Sequence, residues 1–486
     1  VSENLQLDPD RLFSRHPEAK EIIEILKREG WQTVIVGGAV RDALRENFEQ
    51  DFTFSPADSD VDIATEASLK TVKSILSGRG YRFVEVGASF GVLIVVTPKG
   101  KEYEVAHFRE ESDYDGRRPN HVRRTDSLKR DVKRRDFTVN GLAMDLEGRV
   151  IDHVGGIEDL KRGLIKAIGD PRERFTEDLL RPLRAVRFAC HLEGKIEERT
   201  YEALVEIAPR VTEISWERIG QEMMKIMETD SSARGMRILK ESGLLEELLP
   251  EMAANAGVKQ SEEYHPEGDV LTHSLKAMEV ADDLNFPPLV KLATFLHDVG
   301  KREALERNRG EHMGGHSQIG AKKTRRICRR LRLSNEETDK VVWIVENHMR
   351  GAILPRMGRG KQIELIGFCE DEKKLDIDDV WGRYDRFAAL LQTLIADSES
   401  SAHGPKGWLP PTKELARLLP HLHNLEKREG AREMINGNDL LALGLEEGPK
   451  LGALLEELHR LIYVGEIKSR SEALQRAKKM LKEELD

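Results

Sequence analysis

The sequence predicts an α+β protein: an α/β head with a predominantly β core, followed by a long all-helical body. Three observations carry this expectation. Between about residues 30 and 150, β-rich runs alternate with turns marked by glycine. From about Asp170 onward Leu, Ile, Ala, Glu, Lys and Arg dominate, with helical periodicity and few candidate strands. Finally, 486 residues are too many for one hydrophobic core, so several domains are expected.

Taken in order, residues 9–30 form an amphipathic helical pattern ending at Gly30. "WQTVIVGG" (31–38) reads as a strand stopping at paired glycines, and "AVRDALRE" (39–46) as a helix. The strand "SDVDIAT" (59–65) and a helix near 66–78 follow. "YRFVEVGASFGVLIVVTPKGKEYEVAHF" (81–108) reads as three strands separated by Gly and Pro-Lys-Gly turns. In the body, "PPLVKLATFLHDVGK" (287–301) and "EETDKVVWIVENHM" (336–349) are helical patterns. Breaks fall near 165–172, 253–268 and 401–412. The expected domains are therefore 1–168, 169–255, 256–400 and 401–486, with no short-period repeat or low-complexity tract.

Composition bounds the function. With 39% hydrophobic and 34% charged residues, the chain has no apolar run near the roughly 20 residues that span a bilayer, so no membrane partner is expected. The first residues lack the apolar core of a signal peptide. Cys190, Cys328 and Cys369 lie far apart with no C-x-x-C pair, which points to a reducing cytoplasm. A net charge of −10 excludes a wholly basic nucleic-acid coat. Two basic blocks, 117–136 and 322–332, read either as solvated faces or as sites for a polyanion.

Asp60 and Asp62 share one strand face, where like charges repel. In isolation a D-x-D is a strand end entering a turn. Here "VIVGGAVRD" (34–42) precedes it. Gly37 and Gly38 lack side chains, so backbone N–H groups can close on a phosphate at a helix start, with Arg41 one turn inside. Two Mg²⁺ ions would offset the repulsion between the aspartates, activate a terminal hydroxyl and steady a leaving pyrophosphate. On "KEYEVAHF" (101–108), Glu104 is the candidate third carboxylate; a solvated strand face is the alternative.

These segments, with "RRDFTVNGLAMD" (134–145) and "DPRERFTEDLLRPLRAVRF" (170–188), resemble the ordered motifs of class II tRNA nucleotidyltransferases and bacterial poly(A) polymerases. The resemblance runs from about residue 30 to 250. It implies a head of the DNA polymerase beta type, a mixed sheet with helices, followed by a helical neck. It also implies template-independent addition of C and A to the tRNA 3′ end from CTP and ATP. Gly38 and Arg41 would contact nucleotide, Asp60 and Asp62 would hold Mg²⁺, and Arg135 would touch triphosphate or ribose. Asp178 and Arg181 would read the base, with Arg184 and Arg187 as further contacts.

Hydrogen-bond chemistry supports the base-reading pair. Cytosine and adenine both offer an amino donor beside a ring-nitrogen acceptor, matching a carboxylate and a guanidinium; guanine and uracil mismatch both. On a single helix capped at Thr176, residues 178, 181 and 184 would share a face, with a kink at Pro182. Residues 109–135 resemble the flexible loop of full CCA-adding enzymes. The stretch between Asp42 and Asp60 is longer than the turn usual in the family.

A second constellation joins "HPEGDVLTHSLKAM" (265–278), His297-Asp298 in "FLHDVGK" (295–301) and Asp397 in "LIADSES" (394–400). It resembles the HD phosphohydrolase superfamily, which implies His273, His297, Asp298 and Asp397 as ligands of a divalent transition metal. His312, His316 and His348 would extend it to a second metal or a phosphate. Residues 434–473 read as helix, Gly-Pro turn, helix, and resemble the family's tRNA-gripping tail. The expected function is tRNA nucleotidyl transfer with an HD phosphohydrolase side activity. The alternatives are a CC-adding, A-adding or poly(A) polymerase activity, or an HD enzyme acting on RNA ends.

Overall fold

The computed structural model describes residues 5–48, 61–87, 91–114, 119–366, 385–422, 425–446, 448–463 and 465–483. The chain divides into two compact units, Val1–Pro250 and Glu251–Asp486. Asp60, Cys369 and most of the long stretch before Asp60 lie outside the described residues.

The first unit is built on a seven-stranded mixed sheet. Its strands are β1 (Thr33–Val36), β2 (Asp62–Thr65), β3 (Arg82–Gly87), β4 (Val92–Val96), β5 (Glu102–His107), β8 (Leu142–Met144) and β9 (Val150–Asp152). The spatial order is β3-β4-β5-β2-β1-β8-β9. β1 lies antiparallel to β2 and β8, while β2 runs parallel to β5. β1 is buried along its whole length, as expected of a central strand with both faces covered. Val34 and Val36 on one face pack with Ala64, Phe108, Leu128, Val132 and Ala143. The order places the end of β1, with its glycines, beside the start of β2, since Val36 pairs with Asp62.

Three sequence expectations change. The pattern at 9–30 forms two helices, Asp10–Phe13 and Pro17–Arg28, because Pro17 opens a new first turn and disfavours helix at the residue before it. The segment likened to a flexible loop holds an antiparallel hairpin, β6 (Arg109–Tyr114) with β7 (Pro119–Arg124), followed by the helix Leu128–Lys133. The helix expected from Thr176 is two helices, Pro171–Glu177 and Arg181–His191. Asp170 caps the first by accepting from the Arg172 and Glu173 amides. Pro182 falls in the first turn of the second, where a missing N–H costs nothing. Asp178 between them is extended (φ −143°, ψ 106°), so residues 178, 181 and 184 do not share one helix face.

The described part of the second unit is all helical. The helices Val270–Asp283, Pro288–Leu296, Asn335–Ala352 and Asp385–Glu399 pack on one another. Asn335–Ala352 is opened by a capping box between Ser334 and Glu337. The expected break at 401–412 is shorter. Gly404 (φ +48°) ends it, and the helix Pro405–Leu422 runs on through Pro410 and Pro411. In the tail, Gly437–Leu441, Pro449–Tyr463 and Arg470–Glu483 enclose a small apolar core around Leu440, Leu458 and Leu461. The second basic block lies mostly on the helix His316–Arg330. Lys323, Arg325 and Arg330 there pair with Glu303, Asp339 and Glu251, while Lys322, Arg326 and Arg329 are exposed.

Gly300 lets two backbones touch just after His297-Asp298. A Cβ there would lie 2.1 Å from the His316 carbonyl oxygen and 2.6 Å from the Gly320 nitrogen. Gly300→Ala should therefore destabilise this unit by about 1–3 kcal/mol. A lowered urea midpoint by circular dichroism would show it; an unchanged midpoint would contradict the packing.

Candidate active sites

A cavity of about 410 Å³ opens in the first unit where β1 and β2 meet the helix Arg181–His191. Gly37, Gly38, Arg41, Asp62 and Arg135 line it from the head. Asp178, Arg181, Arg184, Arg187 and Phe188 line it from the following helical segment. Arg134, Glu111, Asp136 and Asn140 complete the lining, giving six arginines against four carboxylates, a balance suited to a polyanion.

Gly37 takes φ +82° at the strand-to-helix turn, and a Cβ there would sit 3.5 Å from Arg135 Nη1 and 3.8 Å from Asp62 Oδ2. Those are ordinary contact distances, so it is the positive φ that calls for glycine here, between a cation and a carboxylate. Its N–H donates to Leu142 O (3.0 Å), so only the turn from Gly38 onward has amides to offer a phosphate.

Arg41, Arg184 and Arg187 are each clamped. Arg41 donates to Asn140 Oδ1 (2.7 Å) and to both oxygens of Asp42 (2.7 and 2.9 Å). Burial opposes ionisation of Asp42, but His191 and Arg41 outweigh it and lower its pKa to about 2. Arg184 Nε and Nη2 both reach Asp136 Oδ2 (2.8 and 2.6 Å). Arg187 Nε donates to Glu222 Oε2 (2.7 Å). The centre of the Phe188 ring lies 5.1, 5.4 and 4.2 Å from the guanidinium carbons of Arg41, Arg184 and Arg187, within cation–π range of all three.

The expected base readers keep capacity to spare. Arg181 Nη1 donates to Arg174 O (2.7 Å) and Glu177 Oε2 (2.6 Å), and Nη2 to Arg134 O (3.2 Å). Two of a guanidinium's five N–H donors are left. Asp178 Oδ1 accepts from Leu180 N (3.1 Å) and Oδ2 from Arg218 Nη2 (2.9 Å), leaving lone pairs on both oxygens.

Glu104 is not among the lining side chains. The parallel register pairs Ile63 with Val105, so one step back Glu104 lies beside Asp62 on the neighbouring strand, exposed to solvent.

The second unit brings the other constellation together. His273 Nε2 lies 3.0 Å from Asp397 Oδ1 and 3.9 Å from Asp298 Oδ2, and His297 Nε2 is 3.0 Å from Asp298 Oδ2. The other Asp298 oxygen faces His316 Nε2 (3.4 Å) and His348 Nε2 (3.9 Å). His312 stays outside this cluster: its Nδ1 accepts from the Gly314 amide.

The donor set fits cations. His297, His316 and His348 each give Nδ1–H to a backbone carbonyl, of Thr294, Met313 and Val345. Their Nε2 lone pairs therefore point into the cluster. His297 Nε2 is buried without a hydrogen bond. His316 and His348 Nε2 are only 3.1 Å apart, which calls for a proton or a metal ion. Burial lowers both pKa values, that of His348 to about 4, and so disfavours the proton. At His273 burial also opposes protonation, but Asp397 and Glu267 raise its pKa to about 9; this end of the cluster demands positive charge.

Motif spacing missed the supporting groups: Glu111, Asp136, Asn140, Phe188, Arg218 and Glu222 in the first unit, Glu267 and Lys301 in the second. Asp136, Asn140, Phe188, Glu267 and Lys301 sat inside the quoted motifs. Arg218 and Glu222 carried no local signal.

Residues 33–166 match the family model of the poly A polymerase head domain. A probable RNA and SrmB-binding site of polymerase A matches 195–255, and an HD domain 270–378. In chain order, then, the sequence holds segments similar to a poly A polymerase head, to the probable RNA-binding site of that polymerase and to an HD domain.

Proteins similar to it include CCA-adding enzymes. That of Bacillus licheniformis is 42% identical over 232 residues, 48% of this chain and 55% of the relative. That of Enterococcus faecalis is 44% identical over 211 residues, 43% and 48%. The chain spans about half the length of these curated relatives. A crystal structure of the Bacillus stearothermophilus CCA-adding enzyme in complex with CTP aligns over 98% of this chain and 99% of its own, with a TM-score of 0.64 and 25% identity. A Thermotoga maritima CCA-adding enzyme complexed with tRNA_CCA shares the fold at a TM-score of 0.54 and 18% identity, over 98% and 97%. No described helix is long and apolar enough to cross a membrane.

Asp136 gives a test of the cavity. Burial opposes its ionisation, yet Arg184, Asn140 and the Phe137 amide hold it well below the usual carboxylate range. A depressed folded value stabilises above the unfolded pKa near ~3.9 and is lost as pH falls towards the folded value. Asp136→Asn should cost about 2–3 kcal/mol at neutral pH, discounted for the partial exposure of Arg184. The gap to the unsubstituted protein should narrow progressively as pH falls below about 3.9. Denaturation at several pH values measures it, and a pH-independent gap would contradict the ion pair.

Proposed function

We propose that the chain is a template-independent tRNA nucleotidyltransferase that adds C and A from CTP and ATP to the tRNA 3′ end. The observation that carries this reading is the arginine-lined cavity, with the Gly37 turn and Asp62 at one side and Asp178 and Arg181 at the other. Arg135, Arg184 and Arg187 would hold triphosphate and ribose, and Arg41 would steady the turn. Asp178 would accept from the exocyclic amino group. The two unspent N–H donors of Arg181 suffice for N3 and O2 of cytosine or N1 of adenine. Similarity to CCA-adding enzymes solved with CTP and with tRNA supports these ligands.

Asp62 with Asp60 would hold Mg²⁺, with Glu104 the candidate third carboxylate; once bound, the cation would neutralise developing phosphate charge. Lys322, Arg326 and Arg329 offer exposed positive charge to an RNA backbone.

In the second unit the reading is a metal-dependent phosphohydrolase centre acting on RNA-end phosphates. His273, His297, Asp298 and Asp397 would hold one divalent ion, and Asp298, His316 and His348 a second. A bound metal would supply Lewis-acid charge at phosphorus. Glu267 fixes the His273 ring through Nδ1 (2.6 Å), and Lys301 Nζ holds Asp298 Oδ2 (2.6 Å).

Incubation with tRNA lacking CCA and labelled CTP or ATP tests the first reading, and sequencing the product ends separates CCA from CC, A or poly(A). Asp62→Ala should cut incorporation at least roughly 10²-fold; incorporation of neither nucleotide by the unsubstituted protein would overturn the proposal. For the second centre, His316→Ala loaded with manganese should retain one ion per chain fewer than the unsubstituted protein by elemental analysis. Asp298→Ala should lose phosphate release from 2′,3′-cyclic nucleotides but keep CTP incorporation. Retained phosphate release would overturn that assignment.

A further inference from the structure

We infer that Arg218 is a specificity-positioning residue, which keeps Asp178 from collapsing onto Arg181 and so preserves a gap that admits a cytosine or adenine edge. This inference rests on the nucleotidyltransferase reading above.

Asp178 and Arg181 are opposite charges three residues apart, spanning the start of one helix. Although Asp178 lies outside the helix, opposite charges this close along the chain attract one another across a partly desolvated cavity. A self-paired couple would satisfy its own donors and acceptors and leave none for a base. Among the described residues the two form no ion pair; each is drawn instead to a third residue. Arg218 Nη2 takes Asp178 Oδ2 at 2.9 Å, and Glu177 Oε2 takes Arg181 Nη1 at 2.6 Å.

Arg218 lies on the helix Trp216–Met227, which packs against the helix bearing Arg181. One turn further on, Glu222 clamps Arg187 (2.7 Å). One face of one helix therefore holds the acceptor and a donor of the cavity at fixed separation. Arg218 is three-quarters buried, and its Nη1 is buried without a hydrogen-bond partner. Asp178 is thus the group on which its charge is spent. Arg218 is not among the cavity-lining side chains, so it acts through Asp178 rather than by touching nucleotide.

The test is single-nucleotide incorporation into tRNA lacking CCA, comparing kcat/KM for CTP, ATP and UTP. Arg218→Gln should lower CTP and ATP use roughly 10- to 100-fold, the scale of one charge-assisted hydrogen bond, and shrink the preference over UTP. Arg218→Lys, which keeps the charge without the fork, should recover part of the preference. In an Asp178→Asn background Arg218→Gln should add no further loss, because both changes remove the same interaction.

An unchanged CTP-over-UTP ratio in Arg218→Gln, or full additivity with Asp178→Asn, overturns the inference. Should Arg218→Gln not fold, Arg218→Lys with normal melting carries the comparison, and an undiminished ratio there is equally contrary. If the unsubstituted protein incorporates neither CTP nor ATP, it is the functional reading that fails, not the positioning inference.

Discussion

Guanidinium groups crowded into one cavity repel one another, and the first unit is organised around holding them against that repulsion. Arg41, Arg181, Arg184 and Arg187, four of the arginines lining the cavity, are each held by a partner side chain. Asp136 holds Arg184, Glu222 holds Arg187, Glu177 holds Arg181 and Asn140 holds Arg41. Such pairs are costly to bury and contribute little net stability. Their consequence is geometric. A triphosphate entering the cavity meets donors already aimed, so little side-chain entropy is lost on binding. Stability that could have come from an apolar filling has been exchanged for a fixed pattern of charge.

The second unit poses the complementary problem. There the convergent groups are carboxylates and imidazole lone pairs, and the unmet demand is for positive charge. Lys301 supplies some of it at Asp298, and the elevated pKa of His273 shows the remaining pull. Asp298 is central because its two oxygens face different partners, so removing it would disconnect both halves. Backbone carbonyls fix three imidazoles by their far nitrogens, which makes the donor set rigid before any ion arrives.

Much of this was legible in the chain. β1 to β5 follow the alternation and glycine turns of residues 31–108, and the change of character near Asp170 marks where the large sheet gives way to helices. Residues chosen from short motifs converge because motifs record local geometry: Gly37 before a helix, Asp62 on the adjacent strand, His297 beside Asp298. What escaped was long-range. Arg218 and Glu222 are ordinary charged positions on an amphipathic helix, and only packing brings them to Asp178 and Arg187. His316 and His348 were visible as histidines, but their tautomers depend on carbonyls that no pattern reveals. Pro182 was read as damage to a helix when it marks the start of one.

That last misreading has a physical consequence. Were 171–191 one continuous helix, Asp178 would be an interior residue, its backbone committed and its carboxylate confined to the helix surface near Arg181. The break frees it. In its extended conformation Asp178 ends one helix and receives the Leu180 amide at the entry to the next, as an Asx turn does. Its second oxygen can then reach across to another helix for Arg218. Proline contributes by making the new first turn inexpensive just where the second helix must begin. The separation of the two base-facing charges therefore follows from a backbone feature, the interruption at 178–180, and the arginine on the neighbouring helix holds open what the proline first parted.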